Sequence, residues 1–104
     1  MIGQKDKTIA LEILRQLGGN RFVAMTGAKN FILGQDALRF DLPAGVTKEG
    51  INVVVITLTP ADEYRVAFFR KHGFSVKLIS AANGVYCDNL CDVFTDHTGI
   101  LTSL

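Results

Sequence analysis

The chain has 104 residues, 48% of them hydrophobic and 20% charged, with two prolines and a formal charge of +1. This length makes one domain, residues 1–104, and the composition excludes a disordered or collagen-like chain; no apolar run approaches the ~20 residues of a membrane helix. Near-neutral charge excludes a global field drawing the protein to nucleic acid or membrane, and no apolar stretch backs the N-terminal charges as in a secretory signal, so a soluble cytoplasmic protein is expected.

Residues 7–17 set Ile9, Ala10, Ile13, Leu14 and Leu17 on one stripe opposite Glu12, Arg15 and Gln16, the pattern of an amphipathic helix. Gly18-Gly19 closes it, a glycine past the last apolar residue being suited to a helix C-cap. Residues 21–26 read as a first strand, stopped by a turn or bulge over residues 27–30. A short strand over residues 30–33 and a turn at residues 34–36 lead to residues 37–42, where Leu38, Phe40 and Leu42 alternate with Arg39 and Asp41 and leave one wet face.

A polar connection over residues 43–50 precedes residues 51–59, the most apolar run in the chain and rich in β-branched side chains. It is predicted as the central strand, and its two apolar faces imply cover on both sides. Residues 63–71 and 74–80 form a hairpin about His72-Gly73, which pairs Lys71 with Phe74, Phe69 with Val76, Ala67 with Leu78 and Arg65 with Ser80 on the core face. The other face then carries Tyr64, Val66, Phe68 and Arg70 against Ala81, Ile79, Lys77 and Ser75.

Asn83, as an N-cap, starts a C-terminal helix bearing Tyr86, Leu90, Val93, Phe94 and His97 and ending at Gly99. Residues 100–104 are apolar enough to dock on the body. The expected fold is α+β: an antiparallel sheet of four to five strands with an N-terminal and a C-terminal helix packed on one face.

Candidate sites are few. Thr26, Lys29 and Asn30 about Gly27 offer an anion-binding corner, against the plainer reading of a β-turn with Lys29 in water; the phosphate-loop pattern is absent. Cys87 and Cys91, four apart on the predicted helix, read as reduced thiols. With His97, Asp88 and Asp92 they supply ligand types without four converging ligands, so no metal and no cofactor is implied. Cys87 lacks a histidine partner as a nucleophile, and His72 and His97 announce no triad. An enzyme is therefore not expected.

Asp88, Asp92 and Asp96 at i, i+4 and i+8 form an acidic helix face, either solvated or set against a basic partner. Charge is split along the chain: residues 63–83 carry a local +3 and residues 84–104 a local −3. The face with Tyr64, Phe68, Arg70 and Lys77 has the aromatic and cationic composition of a single-strand stacking platform, and its apolar middle fits a homodimer or another protein partner as well.

The run Gln16-Leu17-Gly18-Gly19-Asn20-Arg21-Phe22-Val23-Ala24-Met25-Thr26-Gly27-Ala28-Lys29-Asn30-Phe31, with Thr98-Gly99-Ile100-Leu101-Thr102-Ser103-Leu104 at the other end, resembles a family of small uncharacterised proteins of bacteriophages and other mobile elements, largely of gut bacteria. The resemblance implies a mobile-element origin and brings no catalytic or binding residues with it. The expectation is a non-enzymatic interaction protein that binds a host or phage macromolecule, as a modulator of defence or replication. The alternative is a small nucleic-acid-binding accessory protein using the basic hairpin of residues 63–80; no membrane contact is expected.

Overall fold

The computed structural model describes residues 7–102. Three helices, α1 (Thr8–Leu17), α2 (Asn20–Thr26) and α3 (Leu90–Thr98), flank five strands: β1 (Lys29–Leu33), β2 (Ala37–Asp41), β3 (Val53–Leu58), β4 (Tyr64–His72) and β5 (Ser75–Val85). The strands pair antiparallel in chain order β1-β2-β3-β4-β5, so the apolar β3 is central as expected. Two 3-10 turns, Ala44–Val46 and Lys48–Gly50, fill the connection between β2 and β3.

The segment expected as a first strand, residues 21–26, is instead the helix α2. Its physical reason is a motif that occurs twice. In α2, the Thr26 hydroxyl donates to Phe22 O at 2.8 Å and accepts from Ala28 N at 3.2 Å, while Gly27 N donates to Val23 O at 3.0 Å. In α3, the Thr98 hydroxyl donates to Phe94 O at 2.8 Å and accepts from Ile100 N at 3.1 Å, while Gly99 N donates to Thr95 O at 2.8 Å. Both glycines are left-handed, with φ of 75° and 81°, a conformation glycine enters without a Cβ penalty. Each helix thus stops at Phe-x-x-x-Thr-Gly, where the threonine hydroxyl bonds back to the carbonyl four residues before it and takes the N–H of the residue after the glycine.

Two further expectations are corrected. The β4–β5 turn is Gly73-Phe74 rather than His72-Gly73, with His72 opposite Ser75, Lys71 opposite Val76 and Phe69 opposite Leu78. Glycine at positive φ in the first central position, followed by a residue at negative φ, is the pattern of a type II′ turn, which matches the strand twist. The register then slips between Phe68 and Phe69, and again between Tyr64 and Val66. The C-terminal helix starts at Leu90, because β5 runs through Asn83 to Val85 and the chain turns only at Tyr86, whose N–H donates to Asn89 Oδ1 at 2.7 Å.

All three helices contribute to one core. Ala10, Ile13 and Leu17 of α1, Phe22 of α2, and Leu90 and Phe94 of α3 are buried with Leu38, Phe40, Val54, Ile56, Val66 and Phe68 of the sheet. Phe22 meets Phe40 and Phe94 edge-on, with ring centroids 5.4 and 5.2 Å apart. The Cys91 thiol points back to α1, donating to Leu17 O at 3.5 Å. Ile100 packs against the core, and the expected docking of the tail beyond Thr102 lies outside the described residues.

Phe94→Ala should destabilise by about 3–5 kcal/mol, since an aromatic side chain with no solvent exposure leaves a cavity between two helices and the sheet. Thr98→Val keeps the volume but removes the acceptor of Ile100 N–H, and should cost about 1–3 kcal/mol. Urea unfolding of both variants checks these values; a wild-type midpoint for Phe94→Ala would displace Phe94 from the core.

Candidate functional site

The pairings decide which side chains share a face. Phe40 lies opposite Val54, and Val54 opposite Phe68; Leu38 lies opposite Ile56, and Ile56 opposite Val66. That face is under the helices. Arg39 lies opposite Val55, Val55 opposite Ala67, and Ala67 opposite Ala81, while Asp41, Val53, Phe69 and Leu78 form the next row on the same side. Among the described residues, no helix belongs to this second face. Val53 and Ala67 are nearly hidden by their own neighbours yet stand outside the core cluster, and Val55 and Phe69 are half-buried. Ile32, Val76 and Leu78 are 56%, 59% and 50% exposed around them.

The open face is thus apolar in its middle, with Arg39, Asp41, Arg65 and Lys71 distributed about it. A shallow hollow of about 190 Å³ is lined by Arg39, Val53, Val55, Phe69 and Val76. The Asn30 amide donates to Asp41 Oδ2 at 2.9 Å and fixes that carboxylate at the β1–β2 side.

The expected interface is redistributed by this geometry. Phe68 has no exposure and Tyr64 only 8%, so neither can belong to a stacking platform or a dimer face. The expectation sorted β4 into the right two sets of residues and assigned the wrong set to the core. Arg70 and Lys77 remain exposed, directly opposite each other beyond the cover of the helices. The Tyr64 hydroxyl donates to Gln16 Oε1 at 2.8 Å, and burial raises its pKa above the ordinary 10.0.

The anion corner does not converge. The Thr26 hydroxyl is buried and committed to the α2 cap, and the Asn30 amide is given to the carboxylate of Asp41, which leaves Lys29 exposed by itself. The acidic helix face is also broken: Asp88 lies in the turn before α3, and Asp92 and Asp96 are exposed on the helix. Lys48 Nζ donates to Asp96 O at 2.9 Å, setting a cation at the negative end of α3.

Compared with protein-family models, with curated proteins and with solved structures, the chain matches none. Function must therefore be argued from the surface itself.

Two chemistry-bearing contacts were not foreseen. Ser80 Oγ and His97 Nδ1 are 2.8 Å apart, and the imidazole lies flat on Phe68 at 4.6 Å. A nucleophile beside a base is suggestive, but this pair spans the seam between α3 and β5 with one ring face covered, and it ties the helix to the sheet. Tyr86 donates to Glu63 Oε2 at 2.9 Å beside a hollow of about 330 Å³ that Asp62, Tyr64 and Cys87 help to line. The i, i+17 separation of Ser80 and His97 carries no periodic signal; only the correct sheet register could have brought them together. Among the described residues, no group of three or more His, Cys, Asp or Glu side chains could hold a metal ion.

The hydrogen bond to Glu63 raises the pKa of Tyr86, as burial does for Tyr64. Folding therefore holds both phenolic protons more tightly than the unfolded chain does. The stability this contributes is complete below about pH 10 and is lost as pH rises through the folded-state values. Phenolate absorbance should appear at higher pH in the native protein than in urea, and Tyr64→Phe should remove the part due to burial. Coincident titration curves in the two states would contradict both contacts.

Proposed function

We propose that the protein acts by binding rather than by catalysis: a small interaction module of phage or mobile-element origin that engages a host or phage macromolecule, as a modulator of defence or replication. The resemblance of its two terminal sequence runs supports the origin. The open sheet face is the observation that carries the binding role. Five strands spaced ~4.8 Å apart and roughly 20 Å long give the whole face, its charged residues included, on the order of 500 Å² in projection. Monomeric proteins seldom leave a contiguous apolar patch beyond a few hundred Å² in water, and a standard interface takes about 800 Å² per partner.

The occupant that fits this face is a second copy of the chain. Two such sheets pack at about 10 Å with their inner side chains interdigitated, and an isologous contact needs a self-complementary surface. Arg39 and Asp41 supply opposite charges two residues apart on one strand, so the Arg39 of one copy can meet the Asp41 of the other across the apolar middle. A homodimer gives Val55, Phe69 and Leu78 the second cover that the apolar β3 implied from its sequence.

Size-exclusion chromatography with light scattering should return a dimer at micromolar concentrations. Val55→Lys should return a monomer whose thermal midpoint is nearly that of the wild-type subunit, since a lysine on an open face displaces nothing. Phe68→Asp should unfold the chain instead, because it puts a carboxylate into the core. A wild-type protein that stays monomeric at high micromolar concentration would remove the self-association reading.

A further inference from the structure

The β4–β5 hairpin outruns the sheet. β3 makes its last strand pairing at Val53 opposite Phe69, and beyond it Arg70 pairs with Lys77, Lys71 with Val76 and His72 with Ser75 in a ribbon of two strands. Every residue from 70 to 78 is exposed. We infer that this ribbon is an arm that enters the major groove of double-stranded DNA, with Arg70, Lys71 and Lys77 on the phosphates and Phe74 at the base edges.

Four observations carry the inference. First, Arg70 and Lys77 are direct cross-strand neighbours, an arrangement in which like charges repel. Among the described residues no ion pair relieves either, or Lys71, and residues 64–82 contain no Asp or Glu. An electrostatic conflict kept on an exposed ribbon has its complement in a polyanion. Second, the cations occupy both faces, Arg70 and Lys77 on the helix side and Lys71 on the open side. A groove has phosphates on both walls, whereas a membrane surface or a flat partner meets one face only.

Third, the arm is held at its base. The Asn52 side chain replaces the missing residue of β3: its Nδ2 donates to Lys71 O at 2.9 Å, and Lys71 N donates to its Oδ1 at 2.7 Å. The stem of Arg70 lies on Gly50, where an added Cβ would stand 3.2 Å from its Cδ. The ribbon is therefore presented rather than left to sample space, which lowers the entropy lost on binding.

Fourth, the apex is Phe74, with its ring in solvent. A two-stranded ribbon fits the roughly 12 Å major groove of B-DNA, where an apolar apex can meet thymine methyl groups; the A-form major groove of RNA is too narrow. Burial of Tyr64 and Phe68 removes the stacking platform expected on this hairpin and leaves Phe74 as the arm's one phenylalanine in solvent, which favours the duplex over a single strand.

The test is fluorescence anisotropy with a labelled DNA duplex of mixed sequence, using the whole protein. Binding should weaken about 40-fold between 50 and 200 mM salt for one arm making three phosphate contacts. The Arg70→Ala, Lys77→Ala double variant should bind at least tenfold more weakly with a shallower salt dependence. Phe74→Ala should lose affinity with the salt dependence unchanged. Lys29→Ala, on the opposite edge strand, should bind like the wild type, and circular dichroism melts confirm that each variant is folded.

No duplex binding at 50 mM salt overturns the arm. So does tighter binding to the single strand than to the duplex, or binding to phosphatidylglycerol vesicles in preference to DNA. Loss of binding in Lys29→Ala, with the double variant unaffected, also overturns it and moves the contact to the β1 edge. The monomeric Val55→Lys variant should still bind through its arm, so this result stands or falls apart from self-association.

Discussion

The contact on which the rest of the structure depends is the edge-to-face meeting of Phe22 and Phe94 over Phe40. Such pairs add about 0.5–1.5 kcal/mol beyond the area they bury, and here the geometry matters more than the energy. α2 has seven residues and α3 nine, both too short to hold as isolated helices. Each is held because its phenylalanine is buried against the other helix and the sheet, and because its threonine, one turn later, closes the chain end with two hydrogen bonds. The two copies of Phe-x-x-x-Thr-Gly lie near opposite ends of the chain and meet at one point. The packing of the terminal segments is therefore one cooperative event.

The same construction explains what could be read in the sequence and what could not. β-branched content and the flanking turns gave β3 its central place, and the Leu38-Arg39-Phe40-Asp41 alternation gave β2 a wet side. Residues 21–26 carry the strand propensity of Phe-Val-Ala-Met-Thr, and tertiary burial of Phe22 overrides propensity in so short a segment. The repeat of Phe and Thr four apart before Gly, at residues 22–27 and 94–99, was the signal that marks it as helical.

The face of β4 was legible in the same way, through a longer chain of steps. The wet side of β2 propagates by register: Arg39 opposite Val55, then Val55 opposite Ala67. Following that register from the turn where Thr59 N donates to Glu63 O at 2.8 Å puts Phe68 beneath the helices and Phe69 outside. Starting instead from the distal hairpin fails, because the turn sits one residue later and β5 slips twice. The slip between Tyr64 and Val66 holds Gly84 at a positive φ, the local mark of a glycine bulge, whereas the slip between Phe68 and Phe69 lies beside Ser80, which reaches His97, and has no such mark. The open face itself was foreshadowed by β3, whose second apolar side has no layer among the described residues to cover it.

Both proposed surfaces meet on one strand pair, and their charges constrain how they coexist. Lys71 and Val76 stand at the outer end of the open face, where the apolar patch passes into the arm. A two-fold axis placed over that end would bring two Lys71 ammonium groups and two ribbons of like charge together in a region that the dimer desolvates, at a cost that grows as water is excluded. An axis crossing the strands midway between the Arg39–Val55 row and the Asp41–Val53 row would instead set Arg39 against Asp41 and send the arms to opposite ends of the assembly. In such a dimer the apolar middle and the cationic arm would not compete: the second copy would cover the first, and the arms would stay in solvent with both faces free. The split between a hydrophobic Phe69–Leu78 row and a charged Arg70–Lys77 row, adjacent along the same two strands, is the feature that makes this division possible.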